Sequence, residues 1–207
     1  MIISYLGKQH IKIQQGDLVI SVNPPSKESS FYGNGKFGAD IVLSSINHKD
    51  FNGIEEAKYG DRVPFSITGP GEYEVKDVEI VGAYTKTFID GKEFANSIYR
   101  LNVEGIVVVI AGVLSKDSFT SALKEQIGTA HILVLPISGG DDFGVKEAEK
   151  MAVSLEPSIV IPVDYKEDAL SSFIKSSGFT VEKLDKLTVK KKDVLEKNGV
   201  VVVLDSK

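Results

Sequence analysis

Not one of the 207 residues is a cysteine. That single absence excludes disulfides, thiolate metal sites and a cysteine nucleophile, and it makes the reducing cytoplasm the expected compartment. Histidine is scarce: His10, His48 and His131 are the three in the chain. An excess of positive charge is missing too. The formal net charge is −5, which argues against nucleic acid or an anionic membrane as the main partner. No apolar run reaches the length of a membrane span; the longest, "GIVVVIAGVL", is strand length. The opening "MIISYLGKQHIKI" lacks the basic and continuous apolar regions of a secretory signal. There is no G-x-S-x-G nucleophile elbow. "GNGKFG" has glycines and a lysine but neither the P-loop spacing nor a strand-to-helix setting.

What is present reads as an ordinary globular chain, 42% apolar and 26% charged. Its length suffices for a sizeable core, and one domain over residues 1–207 is expected. The first two-thirds are β-rich. "MIISYL", "HIKIQ" and "LVISV" are short strands, the last two joined at Gly16-Asp17, a hairpin signal. "NPPSKESSFYGNGKFG" is a loop and "ADIVLSS" a buried strand. "FSITGPGEYEVKDVEIVGAYT" alternates strand and turn, with Pro70 and Gly71 suited to a type II turn. "NSIYRLNVEGIVVVIAG" is a hairpin closing on Glu104-Gly105.

Helices come late. "DSFTSALKEQIG" puts Phe119, Leu123 and Ile127 on one face, with Asp117 as N-cap and Gly128 as stop. "VKEAEKMAVSLEP" aligns Val145, Ala148, Met151, Ala152 and Leu155 and ends before Pro157. "KEDALSSFIKSSG" turns Leu170, Phe173 and Ile174 inward. "HILVLP" and "SIVIPVDY" flank the second helix, a β-α-β unit that predicts parallel strands. "KLTVKKKDVLEK" reads as a solvated edge strand and turn, and "NGVVVVLD" as the last strand. The order implies sheets packed face to face with helices outside.

One short stretch suggests chemistry: "SINHKDFN", residues 45–52. His48 and Asp50 form a His/acid pair in a loop after a buried strand. A catalytic zinc needs at least three protein ligands and an open position. The best remote third ligand is Asp164 in "IPVDY", just past a buried parallel strand. His10 and His131, each alone, read as packed or hydrogen-bonded residues. In "SGGDDFG", Asp141 and Asp142 repel phosphate and read as favourable charges at a helix N-terminus.

"ADIVLSSINHKDFN", "TGPGEYEV", "LVLPISGG" and "LEPSIVIPVDY", in this order and spacing, resemble the metallo-β-lactamase-fold hydrolases, in the branch related to L-ascorbate-6-phosphate lactonase. The resemblance spans nearly the whole chain. It implies an α/β fold, the four-layer αββα sandwich: two mixed β-sheets face to face with helices on the outer faces. It also implies a two-metal site built on an H-x-H-x-D-H loop, later histidines and a bridging aspartate. Position by position, His48 and Asp50 match that loop, while its first and last histidines fall on Ile46 and Phe51. The next metal histidine falls near Ile89, in the 84–95 segment. The bridging aspartate falls on Val113 and the last histidine on Asp164. An early histidine falls on Lys8, and an aspartate before proline on Asn23.

Ile46, Phe51, Ile89 and Val113 offer a metal no lone pair, and one imidazole with two carboxylates is a poor zinc set. The resemblance thus implies a pseudoenzyme: a homologue with a degenerate site, no expected cofactor, and a binding or assembly role. The partner suggested by family analogy is a second copy of the chain or an active paralogue. His48, Asp50 and Asp164 become remnant ligand positions. Lys8, Lys49 and Lys116 lie in the matching motifs, and one of them is expected to neutralise the pocket as an ion-pair partner. Two alternatives stay open. One is a hydrolase with a single divalent metal such as Zn or Mn. The other is a metal-free binder of a sugar-phosphate-like ligand.

Overall fold

The computed structural model describes residues 1–33 and 37–206. Part of "GNGKFG", residues 34–36, lies outside the described residues.

The chain begins with β1 (Ile2–Tyr5), β2 (Ile11–Gln15) and β3 (Leu18–Val22). Gln15 pairs with Leu18, so Gly16-Asp17 is the two-residue turn expected; Gly16 sits at φ 57°, where a Cβ is disfavoured. β4 (Ile41–Leu43) follows, then a 3₁₀ turn at Ile54–Ala57, then β5 (Phe65–Ile67), β6 (Gly71–Val75), β7 (Val78–Ile89), β8 (Lys92–Val103) and β9 (Ile106–Ile110). The rest alternates: α1 (Ser121–Ile127), β10 (Ile132–Pro136), α2 (Val145–Leu155), β11 (Ile159–Val163), α3 (Glu167–Ser177), β12 (Thr180–Leu184), β13 (Leu187–Thr188), α4 (Lys191–Glu196) and β14 (Val200–Leu204).

These strands form two mixed sheets. One has six strands in the order β13-β1-β2-β3-β4-β5, the other eight in the order β12-β14-β11-β10-β9-β8-β7-β6. β10 and β11 pair in parallel across α2, as the β-α-β pattern requires. Alternation along β10 shows the layering. Ile132 and Val134 face the core between the sheets with Ile3, Ile20 and Tyr99. Leu133 and Leu135 face outward, under Leu123, Met151 and Phe173 of the helices. Both faces of these parallel strands are therefore buried, which is why they read as continuous apolar runs. The outer face of the six-stranded sheet is covered by the 3₁₀ turn through Ala57, with Ala39 and Val42. No helix among the described residues is long and apolar enough to cross a membrane.

Several local expectations change. The N-cap of α1 is Thr120, whose side chain accepts from the Leu123 amide, not Asp117; Phe119 therefore lies before the helix while still packing on its core. "GPGE" is not a tight turn within one sheet. It carries the chain from β5 in one sheet to β6 in the other, and Gly71, at φ 146°, already starts β6. Residues 84–95 are the end of a long β7–β8 hairpin turning at Asp90-Gly91. Asp141 does not start α2. Its carboxylate accepts from the Asp90 and Gly91 amides at 2.9 and 2.8 Å, latching the hairpin tip, and Asp142 accepts from the Lys116 amide. The lysine-rich segment supplies the expected edge strand, β13 at the margin of the six-stranded sheet, but continues into α4, whose one buried residue, Val194, joins the core between the sheets.

Candidate functional site

The loop after β4 crosses from one sheet to the other. Ser97 of β8 donates to the Ser45 carbonyl, and Ile46 bridges to Asn96 of β8. The chain then folds back on itself, with the Phe51 and Asn52 amides bonded to the His48 carbonyl. This places Ile46 and Phe51 inward, at 1% and 3% exposure, beside Val113 just past β9. Ile89 from the end of β7 and Phe94 from β8 pack on them. All four positions where the resemblance implies a metal ligand therefore touch one apolar cluster. Burying side chains of this size contributes about 1.5–3 kcal/mol each.

Polar groups surround the cluster. The His48 ring lies against Phe51, and Phe94 meets it edge-on at 5.8 Å. Its Nδ1 accepts from the Asp50 amide at 3.3 Å, so the neutral ring carries its proton on Nε2. Asp50 Oδ2 is 3.7 Å from that Nδ1, and Oδ1 accepts a 2.6 Å bond from Ser29 Oγ. Ser29 Oγ in turn accepts from the Phe31 amide. Asp50 thus holds the loop around residues 29–31 against the site.

Asp164 lies just past β11. Lys8, in the turn between β1 and β2, places Nζ 2.8 Å from Asp164 Oδ1, and Gln9 Nε2 donates to Oδ2 at 3.2 Å. The Asp164 amide donates to the Lys8 carbonyl, joining the two sheets through the same residues. Burial pushes the Asp164 carboxyl above its ordinary 3.8; Lys8 and Gln9 pull it down, and the charge of Asp50 adds to the rise. Burial likewise raises the Tyr5 phenol, which donates to the Lys8 carbonyl. Lys49 and Lys116 are exposed, and neither forms an ion pair among the described residues. Of the three lysines, Lys8 is the one paired with a carboxylate of the candidate site.

The other histidines are structural. His10 is buried, shares a 3.1 Å hydrogen bond with Ser21 Oγ and stacks on Phe37. His131 Nδ1 accepts from the Val107 amide. Gln9, Ser29, Phe31 and Phe94 are the site residues that sequence reasoning missed. Only Gln9, adjacent to Lys8, carried any signal.

Residues 2–164 match a family model described as beta-lactamase superfamily domain. The chain belongs to this family. Among curated proteins none matches significantly. Among solved structures, the chain is similar to a proposed Zn-dependent hydrolase of the metallo-beta-lactamase superfamily from Thermotoga maritima, at 24% identity, 98% coverage of both chains and a TM-score of 0.71. It is also similar to a proposed metal-dependent hydrolase from Parabacteroides distasonis, at 17% identity, covering 99% of this chain and 93% of that one, TM-score 0.69. A metallo-beta-lactamase fold protein of Bacillus subtilis shares 12% identity over 99% of this chain and 96% of that one, TM-score 0.64. At these identities the likeness is one of fold.

For this beta-lactamase superfamily member the donor set can be tested against a metal. The apolar cluster supplies no donor atom. Asn23 is fully buried, its Oδ1 accepts from the Ser45 amide, and its free Nδ2 carries hydrogens rather than a lone pair. Both Asp164 oxygens already accept hydrogen bonds from side chains. Among the described residues no group of three or more His, Asp or Glu side chains is placed to hold an ion. His48, Asp50 and Asp164 therefore do not assemble as a three-ligand set, and the residues present do not fit the two-metal centre that the resemblance implies.

Proposed function

We propose that this beta-lactamase superfamily protein works without metal and without hydrolysis, as a cytoplasmic binding or assembly protein related to the L-ascorbate-6-phosphate lactonase branch. The observation that supports this most is the packing of Ile46, Phe51 and Val113 with Ile89 and Phe94 at the positions where the superfamily would need ligands. Buried apolar side chains at these positions offer no lone pair to two ions and a bridging water. The Lys8–Asp164 pair supports it further, because a carboxylate committed to an ammonium is a poor ligand for a divalent ion. The same pair weighs against a sugar-phosphate site, since the lysine that would meet the phosphate is already neutralised. The partner on this reading is a second copy of the chain or an active homologue.

The test is a hydrolysis panel of lactone, phosphodiester and β-lactam substrates, with and without added zinc or manganese, run beside light scattering. No turnover above buffer under any metal, with a defined assembly, is the expected result. Metal-dependent turnover abolished in His48→Ala would replace this reading with that of a one-metal hydrolase.

A further inference from the structure

We infer that Asp164, Gln9, Phe31 and Phe51 form a binding site for one primary ammonium group, filled in the native chain by its own Lys8 side chain. The inference rests on the metal-free reading of the same site and deepens it. Lys8 Nζ stands 2.8 Å from Asp164 Oδ1, 5.0 Å from the Phe31 ring centre and 5.7 Å from that of Phe51. A carboxylate below and two aromatic faces around it are the features that select a compact organic cation. A divalent metal needs several N, O or S donors at short range, and the aromatic faces supply none. Gln9, 2% exposed, fixes the second carboxylate oxygen, so Asp164 cannot turn away.

The backbone also points to a built site. Lys8 and Asp164 both lie in the left-handed region, at φ 52° and 49°, where residues with a Cβ are disfavoured. Surrounding bonds hold them there: the Asp164 amide to the Lys8 carbonyl, and the Tyr5 hydroxyl to the same carbonyl. Loop residue Phe31, tethered through Ser29 to Asp50, forms the lid of the ammonium site. Asp50 and Asp164, the two remnant carboxylates, thus cooperate. One accepts the ammonium, and the other holds the aromatic ring that covers it.

Beyond its Cβ, a lysine side chain is propylammonium. Lys8→Ala therefore leaves a slot of that shape. The experiment is thermal unfolding of Lys8→Ala in propylammonium chloride, methylammonium chloride, tetramethylammonium chloride, sodium chloride at matched ionic strength, and zinc chloride. Lys8→Ala should melt several degrees below wild type. Propylammonium should restore most of that loss by binding the folded state, and methylammonium less of it. Tetramethylammonium, which has no N–H to donate to Asp164, and sodium should restore none. Wild type and the Lys8→Ala/Asp164→Asn double variant should not respond to propylammonium. Lys8→Gly with butylammonium repeats the test in a residue at ease with this backbone, should the alanine variant not fold. Equal rescue by sodium, rescue that survives loss of Asp164, or no rescue by any cation overturns the ammonium site and leaves the metal-free reading standing. Stabilisation by zinc in excess of that by propylammonium overturns both.

Discussion

Replacing Phe51 by histidine introduces the residue that the resemblance implies at this loop position and asks whether the pocket can use it. Phe51 is 3% exposed and packs with Ile46 and Val113. Losing its burial costs about 1.5–3 kcal/mol. The imidazole that replaces it meets apolar neighbours on that side, and a buried polar group without a partner costs about 1–3 kcal/mol more. The expected destabilisation is therefore about 2.5–6 kcal/mol. Urea unfolding at pH 7.5, with and without zinc, reads it directly. The variant should lose that stability and regain none of it with zinc. A loss under about 1 kcal/mol, or zinc-dependent recovery to the wild-type level, would refute the claim that packing has replaced coordination at this position.

Other outcomes follow from neighbouring groups. Burial lowers the His10 imidazole to about 4, so folding disfavours its protonated form. Its contribution is fully present above pH 6.5 and is lost as pH falls through about 4, a difference of about 3 kcal/mol. His10→Gln should unfold with a flatter pH dependence across that window, and equal slopes for variant and wild type would contradict it. The Ser45 hydroxyl is buried with no hydrogen-bond partner among the described residues. Ser45→Ala should therefore be neutral or stabilising by up to about 1 kcal/mol in denaturant melts; a clear loss would mean the hydroxyl is satisfied. Asp141→Ala removes two bonds to the hairpin tip. It should cost about 1 kcal/mol and speed amide exchange at Asp90 and Gly91, whereas unchanged exchange would show that the latch carries no weight.

Periodicity made much of the fold legible. β10, α2 and β11 follow from apolar runs flanking one helical stripe, and the pairing of β2 with β3 from Gly16-Asp17. α4 was not legible, because a six-residue helix with one buried residue, Val194, leaves no stripe to detect. The hairpin at Asp90-Gly91 was hidden for a different reason: the family pattern expects a loop before "NSIY", while here β7 and β8 continue the ladder for twelve residues each. The carboxylates and Lys8 of the site could be found by position within quoted motifs. Ser29, Phe31 and Phe94 could not, since each reaches the site from an element whose own sequence serves another purpose. That Ile46, Phe51, Ile89 and Val113 meet in one cluster is a tertiary fact. Sequence alone shows only that none of them can ligate.

The central claim is that packing and one internal ammonium stand where the superfamily's metals would be. Elemental analysis of protein purified without chelator, repeated after incubation with zinc or manganese and removal of the excess, tests it most directly. The expected result is far less than one metal ion per chain in both samples, with no difference between wild type and His48→Ala. One ion per chain in the wild type, absent from His48→Ala, would contradict it.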